Sequence, residues 1–287
     1  MGLLLSGAIA RPLRALTAAA GAVAQGQLDQ QVPVRSQDEL GRLSQAFNEM
    51  TARLHAARQM QVDFVANVSH ELRTPLTAVK GLVETLRDGA VDDPEVRDRF
   101  LETVEDETDR LIRLVNDLLI LSRVDSEALY LYRETVDLAQ LVQATAVKLE
   151  PQAEAHQIAL QVEAAPRTSL AWADPDRIEQ VLVNLLDNAI KYAYPGSTVT
   201  VCVDKAADGM ARVQVQDQGI GIPPGSLPRI GERFYRADKA RSRTEGGSGL
   251  GLAIAHALVE VHGGHLSVES EEGQGTRATF TLPFAKP

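Results

Sequence analysis

The chain has 287 residues, of which 44% are hydrophobic and only 4% aromatic, a composition that suits a helix-rich globular protein of two or three units. A formal net charge of −10 argues against nucleic acid or an anionic membrane surface as the main partner. Cys202 is the single cysteine, so no disulfide forms within the chain, in keeping with a reducing cytoplasm.

Gly2 to Ala10 are mostly apolar but fall short of the roughly 20 residues that span a bilayer. They also lack the charged start and cleavage site of a signal peptide. We read residues 1–10 as the stub of a membrane helix, with a soluble helix start as the alternative. Ile9, Leu13, Leu16, Ala20 and Val23 then mark a short amphipathic helix, with Pro12 near its start and Gly26 past its end. A polar connector carries Val32, Pro33 and Val34. Asp38-Glu39-Leu40-Gly41 opens a second helix with Leu43, Phe47, Met50 and Leu54 on one face. Two such helices cannot bury a core alone and would pair with a second copy. This stretch, 11–57, resembles a HAMP domain through Pro12, the Asp38–Gly41 turn and both repeats.

Carried forward, the Leu43–Leu54 repeat predicts seam positions near 57, 61, 64, 68 and 71. The apolar repeat instead runs Val65, Val68, Leu72, Pro75, Val79, Leu82, Leu86. The two phases differ by the equivalent of a four-residue insertion. We expect this break to let rotation of the upstream helices change the seam downstream. On the second repeat His70 takes the outermost position, Glu71 flanks it, and Thr74 lies one turn on. Pro75 lacks an N–H and should bend or loosen the helix there. Taken alone, this describes a surface histidine on a bundle helix. The helix should end near Asp88-Gly89, and Asp92-Asp93-Pro94 should begin another, with seam Leu101, Val104, Thr108, Leu111, Val115, Leu118. This antiparallel hairpin, 58–128, offers a seam but no closed core, so dimerisation into a four-helix bundle is expected.

From 129 to 287 the pattern changes. A strand over Leu131–Val136 precedes a helix over 138–154 and a strand around Ile158, Leu160 and Val162. A helix from Asp174 to Tyr192 follows, then strands near 198–203 and 211–216 and a polar loop over 223–247. A helix over 250–262 and strands at 265–269 and 276–282 close the chain. Helices mixed with a largely antiparallel sheet predict a two-layer α+β sandwich.

Three constellations fall in this last domain. In the first, Asn184, Asn188 and Lys191 project from one face of a helix whose other face is apolar. Two amide oxygens a turn apart can hold a hard cation such as Mg²⁺, Lys191 offers a charge to phosphate, and Tyr192 can lie against a base. In the second, Asp217-Gln218-Gly219-Ile220-Gly221, Asp217 keeps the parity of Val213 and Val215 and should point inward. A buried carboxylate needs a partner, which the exocyclic amine of adenine would supply. In the third, Gly247-Ser248-Gly249-Leu250-Gly251 opens a helix, baring N–H groups and a positive dipole end to an anion. Each has a plainer reading: a solvated helix face, an Asp-Gly turn, a glycine-rich loop.

In this order the three resemble the asparagine box and the two glycine boxes of sensor histidine kinases, within the ATPase superfamily that includes gyrase, Hsp90 and MutL. His70-Glu71-Leu72-Arg73-Thr74-Pro75-Leu76 matches the kinases' histidine box, and Phe64–Leu76 resembles the phosphate-sensing type. The resemblance implies a multidomain chain: HAMP, dimeric phosphotransfer hairpin, ATP-binding domain. It implies His70 as phospho-acceptor, Glu71 as its base, and Thr74 as an aid to dephosphorylating the regulator. It implies Asn188 with Asn184 as Mg²⁺ ligands, Lys191 on phosphate, Tyr192 beside adenine and Asp217 reading it. Gly219 and Gly221 would shape that pocket, and Gly247, Gly249, Leu250 and Gly251 the phosphate lid. Glu232–Arg236 resembles the phenylalanine box, with Arg236 reaching the γ-phosphate. Gly231 stands where the family usually has an aromatic residue, which weakens lid anchoring. ATP, Mg²⁺, a homodimeric partner and the receiver aspartate of a response regulator follow, with no nucleic acid. This chain would be soluble, on the cytoplasmic side of the membrane that anchors the longer protein. The rival readings are a conformational ATPase, which would need a water-activating glutamate where Asp187 and Asn184 stand, and a non-catalytic sensor scaffold.

Overall fold

The computed structural model describes residues 2–164, 170–206, 209–237 and 247–285, with the side chains of 2–9 left aside. The chain divides into two compact units, Met1–Glu71 and Leu72–Pro287. Six helices and seven strands are described: α1 Gly2–Ala24, α2 Glu39–Arg87, α3 Pro94–Asp125, β1 Glu134–Asp137, α4 Leu138–Ala155, β2 Ala159–Ala164, β3 Leu170–Ala173, α5 Pro175–Tyr192, β4 Thr198–Lys205, β5 Ala211–Gln216, α6 Gly251–Val261, β6 His265–Glu271 and β7 Gly275–Leu282.

In the first unit, Leu16 and Ala19 of α1, Val32 of the connector and Phe47 of α2 form a small buried cluster. The connector is pinned to α2 by Asn48, whose Oδ1 accepts from Val32 N and whose Nδ2 donates to Val32 O, both at 2.8 Å. Asp38 starts α2, its carboxylate accepting from the N–H groups of Leu40 and Gly41. No helix among the described residues is long and apolar enough to cross a membrane. Pro12 lies inside α1 rather than near its start, because the helix already begins at Gly2.

The repeat Leu43–Leu54 and the repeat Val65–Leu86 lie on one 49-residue helix, α2, helical without interruption through Pro75. Its first turn-ending glycine, Gly89, has φ 120° and leads through a 3-10 turn, Ala90–Asp92, to α3. Asp93 caps α3 by accepting from Glu95 N and Val96 N, and Pro94 fills the first position.

Along α3, Val104, Leu111 and Leu118 of the expected seam are sheltered within the single chain, together with Phe100, Glu107, Leu114 and Leu121, while Leu101, Thr108 and Val115 of that seam are exposed. The helix carries apolar residues on two adjacent faces.

In the second unit five strands form a mixed sheet in the order β2-β4-β5-β7-β6; β2 and β4 are parallel and the other pairs antiparallel. Burial alternates along β4 and β5, so one face of the sheet takes the helices and the other faces outward. The core joins Val199, Val201, Val213, Val215, Phe280 and Leu282 of the sheet to Ile178, Leu182 and Leu186 of α5 and Ile254 and Leu258 of α6. Leu114, Ile120 and Leu121 of α3 belong to the same core. A strand absent from the sequence reading, β3, pairs antiparallel with β1, and Ala171 bridges to Phe284. β1 itself begins at Glu134, three residues later than expected.

Candidate functional site

The end of α5 and the first glycine box meet at one place. The apolar side of α5, Ile178 to Ile190, is buried, which leaves Asn184, Asn188 and Lys191 half-buried on its other side. At the helix end Tyr192 O accepts from Ile220 N at 3.1 Å, Tyr194 N donates to Gln218 O at 3.0 Å, and Ala193 bridges to Gly219. These backbone bonds lock the residues beside Tyr192 to those after Asp217. Gly221 has φ 64°, and a Cβ there would lie 2.0 Å from Glu271 O, so glycine alone fits.

Asp217 ends the strand β5 and continues its inward parity. It is 5% exposed, next in line after Val213 and Val215. Thr276 N donates to its Oδ1 at 3.2 Å. Burial pushes its carboxyl up to about 6, against the N–H bonds from Thr276 and Gly219 that favour the charged form. A carboxylate this deeply buried is suited to a ligand that donates a hydrogen bond. Thr276 was missed in the sequence, although the glycine-flanked turn Gly273-Gln274-Gly275 before it was a visible signal.

The second glycine box begins α6. Leu250 is fully buried at the helix start, its N–H donating to Ser248 Oγ at 3.3 Å. Gly249 has φ 70°, and a Cβ there would strike the backbone of Phe234 at 2.9 Å. Phe234 N donates to Gly249 O at 2.9 Å, so the phenylalanine box is stitched to the glycine box. A Cβ on Gly251 would sit 3.4 Å from Asn184 Oδ1, which brings the helix start against the asparagine box. Gly247 is half-buried, while Gly246 lies outside the described residues.

Among the described residues, Asn184 Nδ2 and Arg236 Nη2 are buried with no hydrogen-bond partner. Unsatisfied buried groups are costly, and here both belong to residues expected to face phosphate or its cation. The Asn184 amide can present either its oxygen or its nitrogen. No group of three or more His, Cys, Asp or Glu side chains fit to hold a metal occurs among the described residues. Amide oxygens such as those of Asn184 and Asn188 are of the kind that suits a hard ion keeping several of its waters. Lys191 Nζ donates to Asp187 Oδ2 at 2.7 Å rather than extending alone.

The histidine box lies on α2. His70 is exposed, Glu71 half-buried and Thr74 exposed. His70 and Glu71 belong to the first unit, and Thr74 to the second. The phenylalanine box is also tied to α3: Arg233 donates two bonds to Asp125, at 2.8 and 2.6 Å. That pair holds the Asp125 carboxyl below the usual carboxylate range. Gly231, where an aromatic residue was expected, has open space around its Cα.

Three families match the chain: the HAMP domain over residues 4–56, the His Kinase A (phospho-acceptor) domain over 60–127, and the histidine kinase-, DNA gyrase B- and HSP90-like ATPase over 173–286. Sensor histidine kinase WalK of Bacillus subtilis (strain 168) is 43% identical over 227 residues, 79% of this chain and 37% of that protein. Sensor protein SrrB of Staphylococcus aureus (strain N315) is 40% identical over 234 residues, 81% of this chain and 39% of that protein. The chain thus spans less than two fifths of the length of these relatives. Among solved structures, the Acinetobacter baumannii histidine kinase AdeS matches with TM-score 0.60 and 26% identity, over 76% of this chain and 98% of that one. Full-length ShkA in complex with AMPPNP matches with TM-score 0.59 and 32% identity, over 78% of this chain and 46% of that one. With all three domains in the expected order, the chain belongs to the sensor histidine kinases of two-component systems.

Proposed function

We propose that this chain is an ATP-dependent histidine autokinase that phosphorylates His70 and passes the phosphoryl group to an aspartate on a response regulator. The observation that carries the reading is a chain of contacts: the first glycine box, next to the buried Asp217, is stitched to the end of the asparagine-box helix, whose Asn184 in turn meets the start of the second glycine box. ATP is the nucleotide; the AMPPNP complex of ShkA lends support from a relative.

Asp217 accepts the exocyclic N–H of adenine, and Tyr192 lies beside the base. Lys191, Arg236 and the backbone of Gly247, Gly249 and Gly251 attract the phosphates, with Leu250 fixing the start of α6. Asn188 and Asn184 hold Mg²⁺, which neutralises charge on the phosphate oxygens when bound. The neutral imidazole of His70 attacks the γ-phosphorus in line. A nitrogen–phosphorus bond forms, the bond to the bridging oxygen breaks, and ADP leaves. Glu71 takes the ring proton. Positioning supplies most of the rate. Thr74 serves the reverse role, helping to place the water that dephosphorylates the regulator.

The working form is a homodimer. Leu101, Ile112, Val115 and Leu119 of α3 and Leu76 and Val83 of α2 are all exposed, and a second copy of the hairpin would cover them. The chain stands on the cytoplasmic face of a membrane, a reading supported by its HAMP match over residues 4–56.

The test is labelling from [γ-³²P]ATP. The wild-type chain should acquire acid-labile, alkali-stable phosphate, and His70→Ala should lose all of it while binding AMPPNP as tightly as before. Undiminished acid-labile label on His70→Ala would show that the phosphate goes elsewhere.

A further inference from the structure

Gln152 belongs to none of the motifs. It sits in the last turns of α4, one residue before the buried Ala153, and its side chain reaches across to α5. Its Nε2 donates to Asp187 Oδ1 at 2.7 Å. The other oxygen of that carboxylate accepts from Lys191 Nζ, also at 2.7 Å. One carboxylate is thus gripped on both oxygens, by an amide from one helix and an ammonium from the next turn of its own helix. The pair is sheltered: the Lys191 side chain is 19% exposed and that of Asp187 31%.

A lysine side chain has four rotatable bonds and loses much rotamer freedom when fixed. A counter-ion that can itself swing does little to fix it. A carboxylate anchored from a second helix does more, and it takes only one of the three N–H donors. Gln152 is neutral, so it anchors Asp187 without drawing it away from Lys191.

We propose that Gln152 is a positioning residue for nucleotide binding: it orients Asp187, which sets Lys191 Nζ on the α5 face shared with Asn184 and Asn188, toward the phosphates of ATP. This rests on the ATP reading above.

The test is a double-mutant cycle on the full chain, reading KM for ATP in autophosphorylation and Kd for AMPPNP, with a thermal melt of each variant. Gln152→Leu should raise both constants about five-fold and leave kcat within about two-fold, the pattern of a contact made equally in ground and transition states. Asp187→Ala should do the same. The double variant should be no worse than the worse single, because both changes act through one link. Gln152→Glu, which sets a like charge against Asp187, should be worse than Gln152→Leu at unchanged melting temperature. Unchanged KM in Gln152→Leu, effects that multiply in the double variant, or a loss confined to kcat would each overturn the proposal. A wild-type chain that takes up no AMPPNP would overturn the ATP reading itself. Wild-type binding that weakens in Asp217→Asn but ignores Gln152 would overturn only the role given to Gln152.

Discussion

The helical hairpin and the sheet domain answer the same problem in opposite ways. The sheet domain closes its own core: Phe280, Leu258, Ile254 and Leu186 are fully buried, each sheltered by elements of the same chain. The hairpin does not. Ile112 is 54% exposed, Leu101 51% and Leu119 49%. Its most deeply buried residue among the described ones, Leu121 at 1%, lies near the C-terminal end of α3, where α6 packs. One region is complete within the chain and can present a rigid pocket. The other keeps apolar surface free, which fits an element whose packing is finished by association and can be altered by it.

Three experiments break or sharpen that comparison. The largest effect is expected from inserting one residue after Ala57, in the continuous helix α2. It shifts the helical phase of everything that follows on α2 by about 100°. Autophosphorylation should lock high or low, while AMPPNP affinity in the sheet domain stays at the wild-type value. A series of such insertions with wild-type activity would argue against a phase-coupled hairpin.

Next comes the contrast between Phe280→Ala and Ile112→Asp. The first opens a cavity in a closed core and should cost about 3–5 kcal/mol in denaturant unfolding of the sheet domain. The second adds a charge to an exposed face. It should leave that unfolding transition in place within about 0.5 kcal/mol and shift the chain from dimer to monomer in analytical ultracentrifugation. A dimer that survives Ile112→Asp would move the interface off this face.

The third experiment, Asp217→Asn, removes no packing and acts through charge alone. The Asp217 carboxyl sits at about 6 in the folded chain, against an ordinary 3.8. The folded state therefore binds the proton more tightly than the unfolded one between these values, and wild-type stability falls as pH rises through that window. Asparagine carries no such charge. The variant should exceed wild type by up to about 3 kcal/mol at pH 7.5, with the advantage vanishing near pH 4. ATP affinity should move the other way, falling about ten-fold or more as a charge-assisted bond to adenine is lost. Parallel losses of stability and affinity would mean that the carboxylate is structural.

Much of this was legible in the residues themselves. Parity along β5 alone put Asp217 inside, and spacing alone separated the polar and apolar faces of α5. Both follow from neighbours two, three or four positions apart, which the chain order specifies directly. The order of the motifs implied the kinase family before any packing was known. Tertiary structure decided what depends on a partner far off in sequence. It chose which of two apolar faces of α3 turns inward, and it made a strand of Leu170–Ala173, whose four residues gain their pairing from β1 and Phe284. It also tied Lys191 and Asp187 to Gln152, 35 residues upstream of Asp187. Periodicity says that a face will be covered or a charge satisfied; only the three-dimensional fold says by what, because contact between distant segments is set by chain topology rather than by local spacing.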